Sequence, residues 1–485
     1  MLMNLSMGDY WALRLCVAGE GSKLRGCNVE VSRHDPGSRA RSGTCRLVRN
    51  NVKARREKST MVGEPTPPGA WTITTALFFF MLINFADKTV VGLAAVPIMR
   101  DLNLTPREFG LLGSSFFFLF SISAVVVGFL ANRMPARWLI LGLALSWSIV
   151  QFPMIAPVGF ATLVVCRILL GAGEGPAFSV GIHAAYKWFP DERRTLPTAV
   201  IAQGSAVGVI VALPAINWII VHYSWRAAFG VLGVIGLLWA VVWLYVGKEG
   251  PLTDESAISK PPRDEPISYK HLLLTPTFAG CCLSCFGAYW ALSLGLTWFT
   301  PFVVSGLGYS QASAGWLSTL PWVMGAAVVL STGWASQALM TAGVSSRVAR
   351  GVLGSAPLVL GGLIVLMVPY TENPSWKIAF LVIGGGLTGS IYVVCPPMLS
   401  EFTPVSQRAA VIAILGAIYT VAGILAPVVN GTVIANAPTP LAGYHYGYAI
   451  AALVQIVGGL AGLLLLWPAS ETAQLSRLSS ARTLT

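Results

Sequence analysis

Four charged side chains interrupt long apolar runs of the sequence: Asp87, Lys88, Arg167 and Glu174. A charge at the centre of a bilayer costs about 2.5–3.5 kcal/mol on insertion scales, so a charge kept there usually serves a function. Two acids and two bases together could bind an anion and exchange a proton. The alternative is that the four charges only neutralise one another and hold two helices together, and the two roles can coexist.

Arg167 and Glu174 are seven residues apart, so they share one helical face at an axial separation of about 10.5 Å. The Arg167 guanidinium is a planar fork that matches a carboxylate, which makes it our candidate for anion binding. A carboxyl group can take up and release a proton, so Glu174 is our candidate proton carrier and Asp87 a second proton-coupling site. Lys88 points about 100° away from Asp87, toward a different partner.

The composition is that of a membrane protein. Of the 485 residues, 55% are hydrophobic and 11% are charged, and the mean hydropathy is +0.68. Soluble domains carry about 25% charged residues. This composition excludes a soluble enzyme, a disordered protein and a nucleic-acid binder. No loop holds a nucleophile with a base or a phosphate-binding motif, so we expect no enzymatic activity.

The eight cysteines predict neither a disulfide framework nor a metal site. Cys281, Cys282 and Cys285 have no His, Asp or fourth Cys at ligand spacing. We interpret them as buried thiols that pack as small hydrophobic side chains. No metal and no cofactor are expected.

Twelve apolar segments, each about as long as the ~20 residues that a bilayer core requires, follow Trp71. Their expected limits are 71–97, 110–131, 137–157, 160–186, 195–222, 225–247, 276–304, 312–339, 350–369, 375–399, 409–436 and 444–467. We therefore expect an all-α integral membrane protein with twelve transmembrane helices. A polar loop at 248–275 divides them into bundles at 71–247 and 276–467, and a tail follows at 468–485.

The first 70 residues form a basic N-terminal extension without apolar periodicity, for which we expect no fixed structure. Residues 1–60 hold 12 of the 32 Lys and Arg residues and 5 Asp and Glu residues, so 12 minus 5 leaves +7 of the net +12. This segment is either a disordered basic tail or upstream sequence read from a start codon assigned too early. We favour the second interpretation, because a chain that starts at Met61 begins just before its first helix.

Loop charges predict the orientation of the chain. Loops on the N-terminal side hold 12 basic residues: Arg133, Arg137, Lys187, Arg193, Arg194, Lys248, Lys260, Arg263, Lys270, Arg347, Arg350 and Arg408. The opposite loops hold 4: Arg100, Arg107, Arg226 and Lys377. The positive-inside rule places both termini in the cytoplasm. We expect a multi-pass protein of the plasma (inner) membrane that functions as a monomer.

The two halves of the sequence repeat. Gly110 and Gly315 open spans 2 and 8, and Gly128 and Gly333 follow at the same offset of 205 residues. Spans 5 and 11 share a Pro-x-x-Asn segment at 214–217 and 427–430, an offset of 213. Twelve spans in two pseudo-symmetric six-helix halves resemble the architecture of the major facilitator superfamily.

Span 4 and its exit carry a more specific resemblance. Residues 167–176 read RILLGAGEGP, 187–193 read KWFPDER, and 84–88 of span 1 read NFADK. This pattern resembles the anion:cation symporter family of that superfamily, whose members include carriers of galactonate, glucarate, hexuronates and aromatic acids. The resemblance implies proton-linked transport of a small organic anion by alternating access. The implied partners are the anion, protons and the lipid bilayer.

The chain departs from the family pattern at several positions. The superfamily usually has Asp where Asn132 stands, so a gating role for Asn132, Arg133 and Arg137 in the loop after span 2 is an open hypothesis. Phe85 and Phe120 stand where sugar-acid carriers have Tyr. The transport cavity therefore has fewer hydroxyl groups than that of a sugar-acid carrier. This predicts a substrate that is less hydroxylated than a sugar acid.

Other polar residues within apolar spans are candidates for substrate contacts. With Arg167, the proposed set is Lys88, Gln203, Ser205, Tyr289 and Thr388. For each neutral member, a hydrogen bond between helices is the simpler interpretation. The alternative functions are export of drugs or metabolites by the same fold and carboxylate sensing. The Arg167 signature favours uptake over both.

We predict that a cysteine placed at Ser259, in the 248–275 loop, faces the cytoplasm. A Ser259→Cys variant should resist a membrane-impermeant thiol reagent in intact cells and react after permeabilisation, because the 12-to-4 charge ratio places this loop inside. Labelling in intact cells would invert the topology.

Overall fold

The computed structural model describes residues 67–131, 133–189, 193–252, 267–404 and 407–471. The predicted N-terminal extension up to residue 66, the middle of the central loop and the tail after residue 471 lie outside the described residues. Within the described ranges, all regular secondary structure is helical. The expected all-α fold class is confirmed.

Twelve spans are long and apolar enough to cross a membrane, as the sequence predicts. Numbered span 1 to span 12 in chain order, they are Ala70–Leu93, Pro106–Ala131, Ala136–Ile155, Phe160–Tyr186, Leu196–His222, Trp225–Val246, Pro276–Gly306, Gln311–Thr341, Arg347–Tyr370, Pro374–Phe402, Ala410–Asn436 and Pro440–Leu465. Two short helices, Ala95–Asp101 and Tyr269–Leu273, lie between spans.

Polar residues cap the beginning of several spans. Thr105 and Glu108 form a capping box at the start of span 2. The hydroxyl groups of Ser224 and Thr275 accept backbone N–H groups at the starts of spans 6 and 7. These caps satisfy N–H groups that have no partner inside the helix, and an unsatisfied N–H group is costly near hydrocarbon.

Several spans are interrupted near their centres, among them spans 2 and 4, and spans 10 and 11 at Thr388 and Thr420. Span 2 consists of the helices Pro106–Ser115 and Phe120–Ala131, and span 4 consists of Phe160–Glu174 and Ala177–Tyr186. In span 4 the break lies at Gly175 and Pro176, because proline cannot donate the backbone hydrogen bond that a continuous helix needs. The break in span 2 and the break in span 4 lie where these two spans cross, because Gly171 and Gly175 approach Phe116 and Phe120 there.

Cysteines of the second half pack in a hydrophobic cluster. Cys281, Cys285 and Cys395 are buried among side chains such as Phe278 and Met398. Their surroundings are those of small hydrophobic residues, as the sequence predicts.

Within the described ranges, the first six spans pack on the last six mainly through three pairs of spans. Span 1 packs on span 7, span 2 on span 11, and span 5 on span 8. Side-chain hydrogen bonds reinforce the third join and extend it to span 1: Asn217 Nδ2 donates to Gln311 O at 2.9 Å, and Gln311 Nε2 donates to Leu93 O at 2.9 Å. The predicted orientation places this network at the outer ends of the spans.

The internal repeat of the sequence has a counterpart in these joins. A Cβ atom at Gly110 of span 2 would lie 2.4 Å from the Pro427 carbonyl oxygen of span 11. At the equivalent place, a Cβ atom at Gly315 of span 8 would lie 2.5 Å from Asn217 Nδ2 of span 5. Each repeated glycine therefore packs against the repeated Pro-x-x-Asn segment of the other half.

We predict that Gly110→Ala destabilises the protein. The added methyl group would press on backbone atoms of span 11, and such overpacking costs about 1–3 kcal/mol. Gly142→Ala is the matched control, because a Cβ atom at Gly142 of span 3 meets no other atom within 4 Å. Thermal unfolding of the purified protein in detergent should show a lower midpoint for Gly110→Ala only. Equal midpoints for the two variants would contradict the close approach of spans 2 and 11.

Candidate functional site

The four charged residues of the sequence analysis meet between span 1 and span 4. Asp87, Arg167 and Glu174 are 1%, 4% and 1% exposed, and the Lys88 side chain is 11% exposed. We call these four residues the charged centre. Helical spacing places Arg167 and Glu174 on one face of span 4, but only the packing of span 4 on span 1 brings the two pairs together.

Lys88 and Glu174 form an ion pair across the two spans. Lys88 Nζ lies 3.7 Å from Glu174 Oε2 and also donates a hydrogen bond to Asn84 Oδ1 at 2.8 Å. Asn84 is one turn before Lys88 on span 1 and was not singled out by the sequence analysis. Lys88 therefore points away from Asp87, and its ion-pair partner is Glu174.

Aromatic rings cover the two cations of the centre. Lys88 Nζ lies 4.1 Å from the ring centroid of Phe85 and 5.2 Å from that of Phe120, and Arg167 Cζ lies 4.7 Å from that of Phe116. The negative face of each ring attracts a nearby cation. Phe85 and Phe120 therefore stabilise the Lys88 ammonium and offer no hydroxyl group to a ligand.

Several polar atoms of the centre have no hydrogen-bond partner within the described ranges. They include Nε and Nη1 of Arg167 and both carboxylate oxygens of Glu174, which face Lys88 only at ion-pair distance. Gln151 of span 3 is fully buried beside Asp87. Its only signal in the sequence is an amide within an apolar run, which does not distinguish a site residue from a structural one. A buried donor without a partner is costly, so Arg167 carries unused binding capacity.

A small cavity lies against Lys88 and Arg167. Its volume is about 10 Å³, and its other walls are Val91, Gly92, Gly113, Phe116, Phe117, Leu296 and Thr297. This volume is close to the minimum that one water molecule needs. A carboxylate is larger, so it can reach Arg167 only when the surrounding spans separate.

The glycines of span 4 position Glu174. A Cβ atom at Gly171 would lie 1.8 Å from the Phe116 carbonyl oxygen, and one at Gly175 would lie 2.0 Å from the Phe120 carbonyl oxygen, both on span 2. A Cβ atom at Gly173 would instead lie 2.5 Å from a hydroxyl group of span 3. Glycine thus lets span 4 approach two neighbours closely, and Glu174 occupies the remaining direction, toward span 1.

A second, larger cavity of about 370 Å³ lies among spans 5, 7, 8, 9, 10 and 12. Three of the predicted substrate residues line it together: Gln203 and Ser205 of span 5, and Thr388 of span 10. Lys88 and Arg167 line the small cavity instead. The structure therefore divides the predicted substrate residues between two places.

Span 7 separates the two cavities. Leu294 and Gly295 face the larger cavity, whereas Leu296 and Thr297 face the smaller one. Tyr289, the remaining predicted substrate residue, lines neither of these two cavities. Its ring contacts those of Phe117 and Tyr419, at centroid distances of 5.7 and 5.1 Å.

Of the three residues proposed for gating, Asn132 lies outside the described residues. Arg133 is exposed in the turn after span 2. Arg137 is held at the end of span 6, where its backbone N–H donates to Glu249 Oε1 at 2.8 Å and its Nη2 donates to Leu244 O at 2.8 Å. Glu249 also pairs with Lys187 at 2.9 Å, so it links the ends of spans 3, 4 and 6.

The chain resembles known transporters in sequence. The model of the Major Facilitator Superfamily matches residues 77–392. The hexuronate transporter of Bacillus subtilis is 27% identical over 374 residues, which cover 74% of this chain and 87% of that protein. The D-galactonate transporter of Escherichia coli O6:H1 is 25% identical over 61% of this chain and 74% of its own length.

Solved structures show the same fold. The crystal structure of a D-xylose-proton symporter superposes with a TM-score of 0.68 at 17% identity and covers 83% of this chain and 99% of its own. A bacterial homologue of the human lysosomal transporter Spinster, in an inward-facing and unoccupied conformation, superposes with a TM-score of 0.64 at 18% identity over 85% of this chain and 98% of that chain.

Proposed function

The chain belongs to the Major Facilitator Superfamily and is a membrane transporter, and from this premise we propose that it carries a small organic anion together with protons by alternating access. The hexuronate and D-galactonate transporters to which the chain is similar are carriers of the kind found in the anion:cation symporter family. The single observation that carries the proposal is the charged centre, in which Arg167 has unused hydrogen-bond donors and the acid Glu174 neutralises the second cation.

Arg167 is proposed to bind the carboxylate of the substrate. Its guanidinium is buried, rests on the Phe116 ring and borders the small cavity. Guanidinium and carboxylate groups fit each other through two parallel hydrogen bonds. Lys88, on the same cavity wall, is a second positive group within reach of the same anion.

Glu174 is proposed to couple proton uptake to anion binding through Lys88. When Glu174 is ionised, it pairs with Lys88 and competes with the substrate for that cation. Protonation of Glu174 removes the competitor, so Lys88 and Arg167 together face the anion. The coupling is reciprocal by thermodynamic linkage: a bound proton strengthens anion binding, and a bound anion strengthens proton binding. Asp87 is retained as a second proton site.

Two bundles, spans 1–6 (71–247) and 7–12 (276–467), are proposed to move against each other. The joins between spans 1 and 7, 2 and 11, and 5 and 8 lie at the outer ends in the predicted orientation. They support a conformation closed to the outside. Separation of these joins would widen the small cavity and admit an anion to Arg167. We propose that the protein acts as a monomer in the plasma (inner) membrane with both termini cytoplasmic.

We predict that Arg167→Ala weakens anion binding by about 100-fold, because truncating one partner of a buried charge pair costs 2–5 kcal/mol. Arg167→Lys should restore little, since an ammonium lacks the planar fork. The measurement is counterflow of a labelled carboxylate, chosen from a panel that wild type transports, in proteoliposomes. Transport by Arg167→Lys at the wild-type rate would remove the bidentate contact from the mechanism.

We predict that Glu174→Gln separates exchange from accumulation. The glutamine mimics the protonated acid, so the variant should exchange labelled for unlabelled substrate but should not accumulate it along an inward proton gradient. Its anion affinity should also no longer rise as the pH falls. Both rates are measured side by side in proteoliposomes.

The matched control for this prediction is Glu372→Gln, an exposed acid between spans 9 and 10 that should behave as wild type. If the charged centre were only structural, Glu174→Gln would reduce thermal stability and damage exchange and accumulation alike. Full proton-driven accumulation by Glu174→Gln would leave Asp87 as the proton carrier.

A further inference from the structure

Span 2 and span 11 approach each other along a row of contacts. A Cβ atom at Gly113 of span 2 would lie 3.2 Å from Pro427 Cβ of span 11, and one at Gly423 of span 11 would lie 2.7 Å from Cγ of Phe117. Because the two spans run in opposite directions, the second contact lies about one helical turn farther from the outer end than the first. The contact between the spans therefore extends from the outer join toward the middle of the structure.

The next contact along this row is a hydrogen bond between the hydroxyl groups of Ser121 and Thr420. Ser121 lies in the first turn of Phe120–Ala131, directly after the break in span 2, and Thr420 separates Arg408–Tyr419 from Val421–Asn436 in span 11. Hinges are a few loop or element-terminal residues that absorb a change of backbone direction. Two breaks that face each other allow the inner parts of both spans to turn while the outer parts stay packed.

A chain of aromatic rings crosses between the two bundles beside these breaks. The ring centroid of Phe117 lies 5.7 Å from that of Tyr289, and the centroid of Tyr289 lies 5.1 Å from that of Tyr419. The chain continues from Tyr419 to Tyr392, at 5.8 Å. Such ring pairs attract one another beyond the effect of the area that they bury. The chain therefore links span 2 of the first bundle to spans 7, 11 and 10 of the second.

These rings lie on the inner side of the charged centre. Phe117 is 5% exposed and forms part of the wall of the small cavity, with Lys88 and Arg167. Thr297 of span 7 belongs to the same wall. Tyr289 precedes Thr297 by eight residues, which places it about 12 Å nearer to the inner end of the span. An anion that leaves Arg167 toward the cytoplasm therefore meets these rings first.

We infer that the rings of Phe117, Tyr289 and Tyr419 form a gate between the charged centre and the cytoplasm. The hydrogen bond between Ser121 and Thr420 keeps this aromatic gate closed. The inference rests on the proposed function, because it uses the alternating access and the orientation proposed there. It assigns Tyr289 to the gate instead of to direct contact with the substrate. The gate opens when Ser121 parts from Thr420 and the inner part of span 2 turns at its break.

A disulfide in place of the contact between Ser121 and Thr420 tests whether the gate must open. The double variant Ser121→Cys with Thr420→Cys is oxidised with copper phenanthroline, and mass spectrometry verifies the linked peptides. We expect oxidation to lower counterflow of a transported carboxylate at least tenfold and dithiothreitol to restore it. Each single variant is the control for oxidation of native cysteines and should transport equally before and after the treatment. Undiminished counterflow by the linked protein, or failure of the link to form, would overturn the inference.

Access to the small cavity tests on which side the gate lies. Thr297→Cys places a thiol in the cavity wall, and its reaction with a hydrophilic maleimide is followed by mass spectrometry in inside-out and right-side-out vesicles. Adding Tyr419→Ala should speed the reaction at least fivefold in inside-out vesicles only, because loss of the ring opens the path from the cytoplasmic face. Tyr446→Ala is the control, since Tyr446 of span 12 is 55% exposed, and it should change neither rate.

This labelling experiment needs no substrate, so it separates the inference from the proposed function. Absence of wild-type counterflow for every member of a carboxylate panel, together with the expected labelling, would overturn the proposed function and leave the gate in place. Equal labelling of the Tyr419→Ala and Tyr446→Ala proteins, or faster labelling of the Tyr419→Ala protein from the outer face, would overturn the gate and leave anion transport intact.

Discussion

Buried charge between spans 1 and 4 imposes the constraint around which the neighbouring packing is arranged. Each ion costs several kcal/mol to remove from water, and a partner with good geometry must offset that cost. Lys88 finds Glu174, Asn84 and two aromatic rings, whereas Arg167 finds one ring and keeps donors unused. The two acids balance the two bases in charge, but the hydrogen bonds of Arg167 are only partly made in the described conformation. A charge that is tolerable but incompletely paired is suited to bind and release a ligand.

Close helix approach makes this centre possible. The carbonyl oxygens of span 2 come so near to Gly171 and Gly175 that a methyl group at either position would collide with them. Small residues at helix crossings allow backbones to pack tightly in a membrane, where apolar burial between helices contributes little. The same spacing turns Glu174 toward span 1. The glycines of span 4 therefore allow close packing on span 2, and this packing orients the Glu174 carboxyl group toward span 1.

Span 7 separates the two cavities, so binding of an anion at Arg167 depends on the conformation of the spans. Arg167 borders a space that admits about one water molecule, and the space large enough for a small organic molecule lies on the other side of Leu294–Thr297. Contact with Arg167 requires the spans to separate, so binding at the charged centre and opening of the joins are expected to depend on each other.

Composition and hydropathy along the sequence were sufficient to predict the architecture of twelve membrane-spanning helices. Twelve spans, their bounds within four residues and the repeat follow from local hydropathy, because the bilayer permits only long apolar helices or closed barrels. The four charged residues of the candidate site could also be identified from the sequence, because a charged residue within a long apolar segment is rare. Gln151 and Asn84 could not be selected in this way, because a neutral amide in a helix is common and its role depends on which helix faces it.

Tertiary packing decided which of those residues meet. The sequence places Arg167 and Glu174 on one helical face, yet Lys88 approaches Glu174 only because span 1 packs against span 4. It likewise groups Gln203, Ser205 and Thr388 with Arg167 as substrate residues, whereas span 7 stands between them. The physical reason is that hydropathy specifies each helix along its own axis. The rotation, crossing and contacts of helices depend on side-chain fit between distant segments, which a local pattern does not encode.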